Sequence, residues 1–154
     1  MRAGVRLGID VGRARVGVAR CDRDGLLATP IETLSRDDGT VAAIAAHVAE
    51  LEPIEIIVGL PLSLSGADTA STQDAREVAE ALAGAVAIPI RLVDERLSTV
   101  SAQRALRDSG RSTRGSRSVI DQVAAVIILQ NALDSERTAG RPPGVVVAAP
   151  HEGP

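Results

Sequence analysis

The sequence predicts an α/β fold: a mixed five-stranded sheet in which an antiparallel meander is extended by parallel strands and flanked by helices. Three observations predict it. Residues 5–34 hold three consecutive β-branched, partly alternating runs joined by short links. Residues 38–93 then alternate helix-periodic and strand-like segments, and one long, strongly apolar helical stretch follows near the end of the chain.

The first two runs are VRLGIDV (5–11) and RVGVARC (15–21), with Gly12 in the link. The third, 25–34, contains Pro30, which has no N–H to give a ladder and so suits an edge strand or a strand start. From Asp38 the period changes. Val41, Ile44, Ala45 and Val48 recur at helical spacing, Asp38 or Thr40 can cap, and Pro53 stops the run. IEIIVGL (54–60) reads as a buried strand, followed by a Pro, Ser and Gly loop from Pro61 to Gly66. A helix with Ala75, Val78, Ala79 and Leu82 on one face ends near Gly84, and a short strand at 88–93 completes a strand, helix, strand unit, which implies parallel pairing. Ser98 or Thr99 can cap a further helix to Ser109, and RSTRGSR (111–117) reads as a polar link. The last helix is expected over about 118–135. Its apolar residues, among them Val119, Ile120, Val123, Val126, Ile127, Ile128 and Leu129, fall on nearly every face, so it should be largely buried. One domain is expected over 1–137. The Pro- and Gly-rich tail, 138–154, is expected to be non-helical and partly disordered, with an extended piece at 145–148.

Composition narrows the chemistry. The 154 residues include no Phe, Tyr or Trp, and all 17 basic residues are Arg. Binding modes built on aromatic stacking platforms are therefore excluded, and any hold on nucleic acid rests on guanidinium groups and backbone amides. The net charge of −3 conceals a division along the chain. Residues 1–31 carry six Arg against Asp10, Asp22 and Asp24, and residues 91–117 carry seven Arg against Asp94, Glu95 and Asp108, whereas residues 32–90 hold ten acids against Arg36 and Arg76. The single Cys21 has no internal partner, and His47 and His151 stand alone, so zinc spacing is absent. No signal or membrane segment is legible, and a cytoplasmic protein is expected.

Three acids are candidates for chemistry. Asp10 lies in a strand whose Leu7, Ile9 and Val11 take one face while Gly8, Asp10 and Gly12 take the other, which leaves nothing bulky beside the carboxylate. Asp94 and Glu95 fall at the end of the fifth strand, where open α/β sheets place ligands; their side chains point to opposite faces, so only one can join Asp10. Asp121 opens the last helix, with Ala124 and Ala125 one turn on. Two strand acids and a helix acid brought together repel one another unless a hard cation intervenes, which points to Mg²⁺ or Mn²⁺ and to phosphodiester hydrolysis. Arg104, Arg107, Arg111, Arg114 and Arg117 step at intervals of three or four and suit a phosphate-backbone clamp, and Arg13 and Arg96, beside the acid-bearing strand ends, join them as candidate nucleic-acid contacts.

Four segments in order, GIDVGRARVGVA (8–19), IIVGLPLSLSG (56–66), LVDERLSTVSAQ (92–103) and SVIDQVAAVIILQ (118–130), resemble the YqgF (RuvX) family of ribonuclease H-like nucleases over about residues 5–136. The resemblance implies a ribonuclease H-like fold with a site on the first strand, a later strand and the last helix. It matches Asp10, Glu95 and Asp121 as the catalytic, metal-binding acids and selects Glu95 over Asp94. Members of that family are described as nucleases for the 5′ end of pre-16S rRNA, and the family is similar to Holliday-junction resolvases, so the implied partner is pre-rRNA or branched DNA, bound by a monomer or homodimer. Two positions depart from the family pattern: Arg117 and Ser118 stand where a Lys often precedes the helix acid, and Ser63 stands where an Asn is common. The competing readings are an actin-like ATPase, which needs a second lobe for which 154 residues leave no room, and a non-cleaving nucleic-acid-binding protein of the same fold.

Overall fold

The computed structural model describes residues 1–95 and 114–147, with 114–121 described by the backbone alone. In chain order the elements are β1 (Arg6–Val11), β2 (Arg15–Cys21), β3 (Ala28–Ser35), α1 (Thr40–Leu51), β4 (Glu55–Leu60), α2 (Ala70–Ala85), β5 (Ile90–Asp94), α3 (Arg114–Ala139) and β6 (Val145–Val146). They form one sheet in the order β3-β2-β1-β4-β5-β6. β1 and β2, and β2 and β3, pair antiparallel; β1, β4 and β5 are parallel. The C-terminal ends of β1, β4 and β5 therefore share one edge of the sheet.

The pleat sorts the sheet into two faces. On one, Leu7, Ile9, Val11, Val16, Val18, Ile56, Val58, Leu60 and Ile90 form a core with Ile44 of α1 and with Ala75, Val78, Ala79 and Leu82 of α2. On the other, Ala19, Cys21, Ala28 and Ile57 pack against Ala124, Ala125, Ile128, Leu129, Ala132 and Leu133 of α3. The α2 helix begins at Thr69, whose hydroxyl accepts from the Thr72 N–H while Thr72 reciprocates, a capping box. The α1 helix ends at Glu52 in the left-handed conformation (φ 48°), immediately before Pro53.

The alternation on β1, the edge position of β3 with Pro30, and the buried face of α2 follow the sequence reading. Three details differ. The sheet has six strands, because Val145 and Val146 pair antiparallel with Leu92 and Arg91 of β5. The last helix runs from Arg114 to Ala139, so it absorbs the end of the stretch read as a link and passes Thr138, while α2 continues through Gly84 to Ala85. The face of α3 toward the sheet is buried, as expected, but Val123 on another face is 38% exposed. Cys21 lies in the core on β2, between β1 and β3, with Sγ accepting the Arg6 N–H at 3.2 Å, and burial raises its pKa. The helix expected over 98–109 lies outside the described residues.

Helix α3 lies directly on β1. A Cβ added at Gly8 would stand 2.7 Å from Leu129 Cβ and 3.0 Å from the Ala125 carbonyl oxygen. At the other end of the same helix, Glu136 sits in a buried charge network. It pairs with Arg2 at 2.6 Å and with Arg6 at 3.1 Å, while Glu55, the register partner of Arg6 on β4, pairs with Arg2 and with Arg91 at 2.8 Å. Burial raises the Glu136 carboxyl pKa; the hydrogen bonds and charge of Arg2 and the charge of Arg6 outweigh it and hold the group down at about 2, against an ordinary 4.5.

Two outcomes are expected. Gly8→Ala forces helix backbone and Leu129 away from the sheet and lowers unfolding stability by about 1–3 kcal/mol in urea titration; a variant as stable as wild type would contradict the close approach. Because the Glu136 pKa is depressed in the folded state, its contribution is complete above the unfolded value of 4.5 and is lost as pH falls from there through about 2. Glu136→Gln is expected to cost about 2 kcal/mol at neutral pH and to flatten the acid limb in that window, checked by denaturant melts from pH 7 to 2.

Candidate functional site

The shared C-terminal edge of β1, β4 and β5 is where a parallel sheet presents groups to a ligand. Asp10 stands there on the α3 face of β1 and is 0% exposed. It is in register with Gly17 on β2, and on the other side the pairing of Ile9 with Val58 makes Gly59 the next step along β4. The acid is thus flanked by glycine on both neighbouring strands.

On β5 the pairings of Gly59 with Val93 and Leu60 with Asp94 fix the phase of the pleat. Val93 packs toward α3, Asp94 takes the opposite face, and Glu95, whose N–H bonds the Leu60 carbonyl at 3.3 Å, returns to the α3 face. Glu95 is 6% exposed, and its Oε2 occupies the space over Gly59, where an added Cβ would run into it and into Ile128 of α3. Asp10 and Glu95 therefore share one face, separated by a strand that carries no side chain at that point. Residues alone left Asp94 and Glu95 open; the register brings Glu95, and not Asp94, to the face of Asp10.

Asp121 belongs to the first two turns of α3, four residues before Ala125, and helical periodicity puts it on the line of Ala125 and Leu129. Its side chain lies outside the described set. Ala125 and Leu129 rest on Gly8, two residues before Asp10, so the helix line that covers β1 leads to residue 121 at the acid-bearing edge. Of the candidate nucleic-acid contacts, Arg13 is exposed in the β1–β2 turn, which the Gly12 N–H to Arg15 carbonyl bond closes at 2.8 Å. Arg114 and Arg117 fall in the first turn of α3, described by backbone only; Arg96, Arg104, Arg107 and Arg111 lie outside the described residues. Arg36 is a further cation at this edge: it pairs with Asp74 at 2.7 Å and Glu77 at 3.3 Å, and donates to the Gly12 carbonyl at 3.4 Å, tying the turn to α2.

Sequence reasoning missed Gly59. Its signal was present, since an isolated glycine inside the apolar run 54–60 marks either a bulge or a close approach.

The order of strands, the mixed pairing and the helix over the acid-bearing face define the ribonuclease H-like class of α/β proteins. Among solved structures the chain is similar to the protein in "T. thermophilus RuvC in complex with Holliday junction substrate", with a TM-score of 0.56 at 16% identity, covering 92% of this chain and 99% of that one. Its sequence matches the family described as "RuvX: Holliday junction resolvase" over residues 4–135, and the chain belongs to that family. It is 60% identical over 150 residues to a protein of Clavibacter michiganensis subsp. michiganensis (strain NCPPB 382) that bears the name "Putative pre-16S rRNA nuclease", covering 96% of this chain and 93% of that relative. A Streptomyces coelicolor (strain ATCC BAA-471 / A3(2) / M145) protein of the same name is 54% identical over 147 residues, covering 94% and 88%. No helix among the described residues is long and apolar enough to cross a membrane.

Gly59→Ala is expected to cost about 1–3 kcal/mol of stability, because Glu95 and Ile128 must both move. In a Glu95→Ala background one of the two obstacles is gone, so the same substitution costs measurably less. A double-mutant cycle by thermal or urea unfolding reads this coupling; strictly additive costs would mean that Glu95 does not sit over Gly59.

Proposed function

We propose that this chain is a divalent-metal-dependent endonuclease that processes the 5′ end of pre-16S rRNA in the cytoplasm, with Asp10, Glu95 and Asp121 as its catalytic, metal-holding acids. The observation that carries the reading is the pairing of Asp10 and Glu95 on one buried face across Gly59, at the edge where α3 brings residue 121. The names borne by the relatives from Clavibacter and Streptomyces support the substrate.

The donor set fits a hard cation. All three candidates are carboxylates, and Gly59 puts no side chain between the two strand acids, so the Glu95 carboxylate lies over that strand on the face of Asp10. When bound there, Mg²⁺ or Mn²⁺ supplies charge to the scissile phosphate and makes water a better nucleophile. The protein's own part is to hold the acids on stiff strands, to leave the strands on either side of Asp10 without side chains at Gly17 and Gly59, and to bring the backbone of the nucleic acid to the edge. Arg13 in the exposed turn, with Arg96, Arg104, Arg107, Arg111, Arg114 and Arg117, neutralises phosphates on either side.

A second reading, cleavage of branched DNA, is favoured by the description of the matching family as Holliday junction resolvase. Both readings share the site and differ in substrate.

The test is cleavage of a pre-16S rRNA 5′-leader fragment and of a four-way DNA junction in Mg²⁺ or Mn²⁺. Asp10→Asn, Glu95→Gln and Asp121→Asn are each expected to lose more than about 100-fold in rate, the loss that removing even an outer-sphere partner of a metal ligand can reach. Wild-type rates from all three variants would remove the acids from the reaction, and preference for the junction over the RNA would select the second reading.

A further inference from the structure

The loop that joins β4 to α2 starts at the acid-bearing edge, two residues after Gly59, and is closed on itself. Leu62 and Asp68 form an antiparallel bridge, Ser63 N–H donates to the Ala67 carbonyl at 3.0 Å, and Gly66 N–H donates to the Ser63 carbonyl at 2.8 Å. Ser63 Oγ accepts the Ala67 N–H at 3.0 Å and lies 2.9 Å from Ser65 Oγ. At the tip of this turn stands Leu64.

Leu62 packs against the α1/α2 core, whereas Leu64 is 82% exposed, more than any other large apolar side chain among the described residues. Leu26 and Leu27, also exposed, lie in the β2–β3 link at the opposite edge of the sheet, and Val145 and Val146 lie on the outermost strand. Leu64 is thus an apolar side chain presented by a braced loop on the edge where the acids stand. Five steps along the chain take Gly59 to Leu64, so its backbone lies no more than about 17 Å from the strand position between the two acids. The stretch from Pro61 to Ala67 carries no charge that would repel a phosphate backbone, and the hydroxyls of Ser63 and Ser65 flank the leucine.

We infer that Leu64 is a wedge that inserts between stacked bases of the bound nucleic acid and opens the strand next to the acid pair, with Ser63 and Ser65 beside the adjoining phosphates. This rests on the nucleic-acid reading of the same site and assigns a positioning residue within it. An aliphatic wedge unstacks a base step without needing an aromatic ring, which this chain lacks altogether. The hydrogen bonds that close the turn fix the leucine in advance, so little conformational entropy is lost when it inserts.

The experiment uses the full chain and two probes, an RNA hairpin with a single-stranded 5′ extension and a four-way DNA junction, each carrying 2-aminopurine at the junction step. Binding is followed with Ca²⁺ in place of Mg²⁺, and intact probe is verified on a gel. Wild type is expected to raise 2-aminopurine fluorescence on at least one probe. Leu64→Ser is expected to abolish the rise while anisotropy shows binding within about threefold of wild type, and Leu64→Phe is expected to keep it. In Mg²⁺, Leu64→Ser is expected to slow cleavage of the paired probe by about tenfold and to leave a fully single-stranded probe unaffected. No rise with wild type on either probe, or an equal rise with Leu64→Ser, overturns the wedge. A Leu64-dependent rise from a wild type that never cleaves keeps the wedge and overturns the nuclease reading, whereas cleavage with a Leu64-independent rise does the reverse.

Discussion

The contact on which the rest of the structure depends is the seat of α3 on the glycines of the sheet. Gly8 admits the Ala125 carbonyl and Leu129 to a distance that any side chain on β1 would prevent, and Gly59 does the same for Ile128. Helix and sheet pack at about 10 Å when side chains of ordinary size lie between them; here small residues on both sides, Ala19 below and Ala124, Ala125 and Ala132 above, thin the layer. A buried acid on the strand and residues near the start of the helix are thereby drawn to one edge. The absence of aromatic residues is compatible with this layer, since a ring at any of these positions would lift the helix and separate the groups it brings together.

A helix seated on glycines has little side-chain interdigitation to hold it against sliding, and the far end supplies that restraint. Glu136 bonds Arg2 and Arg6, and Glu55 bonds Arg2 and forms an ion pair with Arg91, so one network joins the chain's start, β1, β4, β5 and the last turns of α3. Charges this deeply buried contribute little net stability compared with apolar replacements, and their value lies in direction: guanidinium and carboxylate groups accept one geometry, whereas alanine against glycine accepts many. Position along the helix is set at one end by charge, and height above the sheet at the other end by glycine.

How much of this was legible in the sequence depends on the range of the interaction concerned. The faces of β1 were legible because strand alternation is local, and so were the buried side of α2 and the edge position of β3 with its Pro30. The choice between Asp94 and Glu95 was not, because it depends on where β5 stops and on its register with β4; only the pairing of Gly59 with Val93 fixes it. The extended piece read at 145–148 contains β6, but that it joins the sheet was not legible, because its two residues pair only with the far edge of β5 at Arg91 and Leu92. The start of α3 was hidden because Arg114 to Arg117 are polar and include Gly115, which reads as a link until a long helix carries the segment along. Val123 misled for another reason: an apolar residue that faces away from the sheet looks like part of the buried set when only the composition of the helix is read. Of the seven arginines assigned to nucleic acid, Arg13 is the one whose side chain the structure describes, and it is exposed at the acid-bearing edge.

The distribution of charge acquires a direction once the layers are known. The acids of residues 32–90 include Glu50, Glu52, Glu77 and Glu80, which are exposed on or beside α1 and α2, the layer opposite α3. Arg36, one of only two basic residues in that stretch, is taken up by Asp74 and Glu77. A polyanion is repelled from that layer within a Debye length of about 8–10 Å, while the basic segments that include Arg13 and Arg114 begin or end at the edge where Asp10 and Glu95 stand. A net charge of −3 is then no obstacle to a phosphate-backbone substrate. The negative layer makes the approach one-sided, toward the edge where Asp10 and Glu95 lie buried beneath α3.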